Sequence, residues 1–122
     1  MHILVVDDEP LVAQTLSLIF CKNGFEVTTA YSAEQALACA LATPPDLILC
    51  DIDMPGRDGV SLMNDIGRRL PQCPILVLTG LYSGLGRVYD CALTLHQPVS
   101  IVTKPCQPSD LLRTAGDLLK SA

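Results

Sequence analysis

Apolar residues fall into two alternating patterns along this chain: short unbroken runs, and longer stretches where they recur every three or four positions. The unbroken runs are Ile3-Leu4-Val5-Val6, Leu47-Ile48-Leu49-Cys50 and Ile75-Leu76-Val77-Leu78. Runs of this kind predict strands buried on both faces. Two further strands, over about 25–30 and 99–103, carry Glu26, Thr28, Ser100 and Thr103 and so suit the edges of a sheet.

The helical stretches lie between these strands. The first covers about 10–23, with Val12, Leu16, Ile19 and Phe20 on one face, Pro10 in its first turn and Gly24 past its end. Ser32, as an N-cap with Gln35 in the reciprocal capping position, opens a helix through Ala36, Leu37, Ala40 and Leu41, which Pro44-Pro45 breaks. After the turn Met54-Pro55-Gly56-Arg57-Asp58-Gly59, a third helix buries Leu62, Met63, Ile66 and Leu70. A less regular helix covers about 85–96. The last, over about 108–120, turns Leu111, Leu112, Ala115, Leu118 and Leu119 inward.

Strict strand–helix alternation with crossovers of this length predicts one parallel sheet with helices on both faces, a three-layer α/β sandwich. Right-handed crossovers favour the strand order 2-1-3-4-5, whose switch point lies between strands one and three. Ligands of such sheets bind there, beyond the carboxyl ends of the strands. The length of 122 residues suits one domain spanning 1–122.

The chemistry gathers at those strand ends. Asp7 and Asp8 close strand one, Asp51 closes strand three, Thr79 closes strand four and Lys104 follows strand five. Three carboxylates brought within a few ångströms repel one another unless a cation is shared, and an oxygen-only set suits Mg²⁺. Asp8 and Asp51 are the expected direct ligands, with Asp7 acting through a water and the Asp53 carbonyl adding another oxygen. Asp51 is the candidate nucleophile towards phosphorus, forming an acyl phosphate. Lys104 would neutralise a phosphoryl oxygen as a point charge. The Thr79 hydroxyl, with N–H groups of Gly80 and of the loop after strand three, would bind the rest. The plainer alternatives are that Asp7-Asp8 only caps a helix, that Thr79 is a solvated strand end, and that Lys104 is a surface lysine. Lys104-Pro105 is also a candidate cis step.

Composition narrows the partners. Apolar residues make up 49% and charged residues 17%, as in a compact chain, and the net charge is -5 with no basic run. This argues against direct binding to nucleic acid or to an anionic membrane. No stretch approaches the ~18 unbroken apolar residues of a membrane span, and the chain opens on a strand rather than a leader, which points to the cytoplasm. The six cysteines (Cys21, Cys39, Cys50, Cys73, Cys91 and Cys106) form no C-x-x-C pair and are expected as reduced packing groups. His2 and His96 form no ligand pattern with them.

The segments Ile3-Leu4-Val5-Val6-Asp7-Asp8-Glu9-Pro10, Asp51-Ile52-Asp53-Met54-Pro55-Gly56-Arg57-Asp58-Gly59, Leu78-Thr79-Gly80 and Thr103-Lys104-Pro105, in this order and spacing, resemble the receiver domain of two-component response regulators. The resemblance spans essentially the whole chain and implies a flavodoxin-like (βα)5 fold. It further implies phosphorylation of Asp51 by the phosphohistidine of a histidine kinase or phosphotransfer protein, with Mg²⁺ required and slow self-catalysed hydrolysis. That is a signalling switch rather than an enzyme acting on other substrates. Phosphorylation would draw Thr79 inward, followed by a strand-five residue that is usually aromatic three positions before the lysine. Here that residue is Ile101, a departure from the family pattern. The segment Tyr82 to Pro98 is also unusual, and Asp53 and Leu81 occupy positions that the family uses to tune water access.

Two other classes compete. The Asp51-x-Asp53 pair resembles the haloacid dehalogenase type of aspartyl-phosphate hydrolase, but there the pair follows the first strand and a cap domain usually accompanies it. A phosphorylation-independent module of the same fold is the other: a flavin carrier would want a Ser/Thr/Gly phosphate loop after strand one, and a degenerate receiver would lack an acidic or lysine position. The glycines at 80, 84 and 86 lack the Gly-Lys-Ser/Thr of a phosphate loop. Cys50, beside Asp51, is expected to point away from it into the core. The output is either a docking partner or a domain missing from a fragment of a longer regulator.

Overall fold

The computed structural model describes residues 1–52, 59–80, 85–104 and 107–121. The chain runs β1 (His2–Val6), α1 (Pro10–Lys22), β2 (Glu26–Ala30), α2 (Ala33–Ala42), β3 (Leu47–Asp51), α3 (Gly59–Arg69), β4 (Ile75–Thr79), α4 (Leu85–Thr94), β5 (Val99–Thr103) and α5 (Pro108–Ser121). The five strands are all parallel, in the order β2-β1-β3-β4-β5. The three apolar runs are the interior strands, and the two mixed runs are the edges. The turn after β3 and the segment 81–84 lie outside the described residues, as do Pro105 and Cys106.

Strand alternation sorts the core into two layers. Ile48, Cys50, Ile75 and Val77 face a cluster with Ala36 and Ala40 of α2, Leu62, Met63 and Ile66 of α3, and Val88 and Cys91 of α4. Ile3, Val5, Leu47, Leu49, Leu76 and Leu78 face Leu16 and Phe20 of α1 and Leu111, Ala115 and Leu118 of α5. Each interior strand is covered on both sides, and all their residues except the half-buried His2 at the start of β1 are buried.

The helix ends show how local sequence sets these layers. Gly24 has φ 91°, the left-handed conformation that a glycine tolerates without strain. Its N–H donates to the Cys21 carbonyl (3.2 Å) and the Phe25 N–H donates to the Phe20 carbonyl (3.1 Å), the two bonds of a Schellman cap. The Phe20 and Phe25 rings meet edge to face at 5.7 Å, the apolar contact that accompanies this cap. The chain is thereby turned from α1 straight into β2.

At α2, the Ser32 hydroxyl accepts from the Gln35 N–H (3.1 Å) as expected. The reciprocal bond is displaced by one residue: Gln35 Oε1 accepts from the Tyr31 N–H (2.7 Å), not from that of Ser32. Of the apolar residues named for α2, Ala36 and Ala40 are buried and Leu37 packs partly on the core; the fully buried face is small. It consists of Ala33, Ala36 and Ala40, while Leu41 is 42% exposed. Leu37 and Cys39 pack partly against the same cluster, and Leu41 lies off that face.

Gly24→Ala places a β-carbon on a left-handed backbone and is expected to cost about 1 kcal/mol. Urea unfolding of the variant against wild type measures it, and an unchanged midpoint contradicts this account of the α1 cap.

Candidate functional site

The parallel register carries the strand ends to one edge. Val6 pairs with Cys50, so Asp7 and Asp51 are the next step on adjacent strands. Asp51 pairs with Leu78, and Thr79 with Thr103, so Lys104 follows directly. The Lys104 N–H donates to the Thr79 carbonyl (2.8 Å), which continues the ladder one residue beyond the strand and holds the lysine at the edge.

Four of the predicted residues meet in one crevice. One carboxylate oxygen from each of Asp7, Asp8 and Asp51 lies within 4.8 Å of the others. Lys104 Nζ donates to Asp51 Oδ2 at 3.1 Å. Asp7 and Asp51 are almost fully buried, while the Lys104 side chain is 36% exposed and reaches over the site from the solvent side. Thr79 is buried at the same edge. Its side chain continues the parity of Ile75 and Val77, towards α2, α3 and α4, whereas Asp7, Asp51 and Lys104 continue the parity of the opposite layer. Asp53, expected to add a carbonyl oxygen, lies outside the described residues, as does Leu81.

Asp7 and Asp8 do not cap α1. The N-cap is Glu9, whose side chain makes no capping bond, and Pro10 opens the helix. Asp7 Oδ1 instead accepts from the Glu9 N–H (2.9 Å), a local turn that fixes the carboxyl group. Its other oxygen, Oδ2, is buried with no hydrogen-bond partner. The Glu9 N–H was not anticipated from the sequence, although Asp followed two residues later by a helix start is a usual signal for such a turn.

Burial pushes the Asp7 carboxyl up from its ordinary 3.8 to about 6, against the pull of the Glu9 N–H. The neighbouring Asp51 charge adds to the rise, and the Lys104 charge offsets part of it. A buried acid with one orphaned oxygen, beside two further carboxylates, is a set that a small hard cation completes. The donors present therefore fit Mg²⁺.

Cys50 is excluded as a partner in this chemistry. Its thiol is buried on the face opposite Asp51 and donates to the Asp51 carbonyl (3.4 Å). Burial, and after it the Asp51 and Asp7 charges, raise it far above the ordinary thiol range, so it stays protonated. The described cysteines Cys21, Cys39, Cys50, Cys73 and Cys91 are all free thiols.

With this geometry in place, comparison with known proteins is decisive. Residues 3–115 match the response regulator receiver domain. The chain belongs to that family. It is 32% identical over 126 aligned residues to the transcriptional regulatory protein AruR of Pseudomonas aeruginosa, covering 98% of this chain and 49% of that protein. The chain thus spans about half the length of this curated relative. Among solved structures, a CheY-like receiver domain protein from Methanospirillum hungatei superposes with a TM-score of 0.90 at 28% identity, covering 98% of this chain and 94% of that one. The receiver domain of a signal transduction histidine kinase from Syntrophus aciditrophicus gives 0.88 at 28% identity, over 99% and 91% of the two chains.

This family consists of two-component signalling switches rather than classical enzymes, which decides against the hydrolase reading. Its receivers interact with histidine kinases or phosphotransfer proteins and with output domains, and generally bind Mg²⁺ at an acidic pocket. No described helix is long and apolar enough to cross a membrane.

The raised Asp7 value has a testable sign. The folded state holds a proton that the unfolded chain releases near 3.8, so stability is fully present below that pH and falls as pH rises through about 6. In the presence of a chelator, Asp7→Asn is expected to flatten this slope and to stabilise the protein at pH 7 by on the order of 2 kcal/mol. Denaturant unfolding across this pH range measures both. Parallel curves for wild type and variant sink the assignment.

Proposed function

We propose that Asp51 is the phosphoryl acceptor of a two-component relay, and that residues 1–122 act as one receiver unit. The observation that carries this reading is the Lys104 Nζ to Asp51 Oδ2 contact of 3.1 Å beside the Asp7 and Asp8 carboxylates. A buried carboxylate with an ammonium on one side and acids on the other is set up to receive a phosphoryl group together with a divalent cation.

An Asp51 oxygen attacks the phosphorus of a phosphohistidine presented by a kinase or phosphotransfer protein. The new P–O bond forms as the P–N bond breaks, and the leaving imidazole nitrogen takes up a proton. Asp7, Asp8 and Asp51 would hold Mg²⁺, with the Asp53 carbonyl as a further ligand. The ion supplies screening of the charge shared by the phosphoryl oxygens and the acids. Lys104 moves from the free carboxylate to a phosphoryl oxygen. The Thr79 hydroxyl and the Gly80 N–H bind the remaining oxygens. Hydrolysis of the acyl phosphate by water at the same site returns Asp51.

The response would travel through the layer that Thr79 faces. Ile101 pairs with Val77 in register and packs on the same core cluster as Val88 and Cys91 of α4. A Thr79 drawn towards Asp51 leaves space on that face, and Ile101 is the β5 side chain placed to follow it. An aliphatic side chain fills less volume than the aromatic residue common in the family, so the displacement of α4 is smaller. The cytoplasm, where phosphohistidine donors work, is the expected location. The coverage of about half of a transcriptional regulator supports a second reading for the output, in which an attached domain receives the signal.

Asp51→Asn is expected to abolish ³²P transfer from a histidine kinase panel, as is removal of Mg²⁺ with EDTA. Lys104→Ala is expected to keep labelling but to weaken the amide shifts that beryllofluoride induces in α4. Labelling of Asp51→Asn at the wild-type level would remove the proposed acceptor.

A further inference from the structure

At the end of the sheet opposite the acids, a half-open cavity of about 540 Å³ lies between β1, β2 and α2. Its origin is a mismatch of side-chain sizes. The strands present His2, Leu4, Glu26 and Thr28 on this face, because His2 pairs with Glu26 and Leu4 with Thr28. Against them α2 brings only an alanine stripe, ending in Cys39, Ala42 and the Thr43 cap. Short polar groups facing small apolar ones leave volume that neither side fills.

The lining selects for charge. Leu4, Cys39, Ala42 and Pro44 make the walls apolar, and Glu26 is the one carboxylate among the lining residues. No lysine or arginine is among them. The cavity also takes in the carboxyl end of α2 at Ala42 and Thr43, where the final turn carries no basic residue. Such an end behaves as a partial negative charge that a cation offsets. His2 is tied to the sheet by its Nε2 contact with Thr28 Oγ1 (2.7 Å).

We infer that this cavity binds a small organic cation, an ammonium or guanidinium group carried on a short apolar body. The apolar body lies against Leu4, Cys39 and Pro44, and the charged head sits between the Glu26 carboxylate and the last carbonyls of α2. The volume falls within the usual range for small-molecule sites, and the lining has their usual character, mostly apolar with a few placed polar groups. The site lies beyond the amino ends of β1 and β2, so its occupant does not compete for the acid cluster. It is independent of the phosphoacceptor reading.

The test is a titration of the ¹⁵N-labelled protein with hexylammonium, hexanol and hexanoate in the presence of Mg²⁺, which keeps the acid cluster occupied. Hexylammonium is expected to bind in the millimolar range and to shift the amides of Thr28, Cys39 and Thr43. Glu26→Gln, at an exposed position, is expected to weaken binding about fivefold to tenfold, and Ala42→Leu, which fills the mouth, to abolish it. Three results each overturn the inference: no shifts up to saturating ligand, equal shifts from hexanol or hexanoate, or shifts confined to Asp7, Asp8 and Asp51. Wild-type affinity in Glu26→Gln overturns it as well. Retained amide dispersion in both variants shows that they remain folded.

Discussion

Asp51 is a carboxylate buried at the edge of the sheet with other carboxylates beside it, and the arrangement of the rest of the molecule answers that fact. Taking such a group out of water is costly unless opposite charge comes with it. Lys104 supplies one such charge from the far side, at 3.1 Å. On the near side, Asp7 and Asp8 add negative charge rather than relieving it, and Asp7 Oδ2 has no hydrogen-bond partner. Burial holds the Asp7 carboxyl up at about 6, and the neighbouring Asp51 charge adds to that rise. In the proposed function, a divalent ion relieves this electrostatic load as the phosphoryl group arrives.

The sheet divides the labour between its two faces. The parity of β1 and β3 puts the acids above the layer built from α1 and α5, and Lys104 reaches them from the same side. Thr79 is one residue past Leu78 and so faces the other layer, where Ile101 packs with the core beneath α4. The proposed chemistry and the proposed relay thus meet at the carboxyl edge but run into different cores. Cys50 belongs to the second layer, so a thiol adjacent in sequence to the proposed acceptor points away from it.

Much of this was legible in the residues. The three apolar runs announced interior strands because a strand covered on both faces has no polar alternation to show, and the order 2-1-3-4-5 followed from right-handed crossovers. The helix starts at Pro10 and Ser32 and the stop at Gly24 were readable because capping is local chemistry. Less legible was the inner face of α2. Leu41 follows Leu37 by one turn, yet it is 42% exposed, and the fully buried positions of α2 are Ala33, Ala36 and Ala40. The capping reading of Asp7-Asp8 failed because the acids are held for one another and for Lys104, and that relation spans residues about fifty apart.

What the sequence alone determined is therefore whatever depends on neighbours along the chain: the identity and order of the elements, the strand ends that carry acids, hydroxyl and ammonium, and the turn after α1. The fold alone decided what depends on neighbours in space. It set the 3.1 Å approach of Lys104 to Asp51, the orphaned oxygen of Asp7, the opposite facing of Thr79 and Asp51, and the cavity left between small side chains of α2 and the strands β1 and β2. Burial and charge act through distance, and no spacing in a one-dimensional chain measures the distance between groups brought together by a sheet.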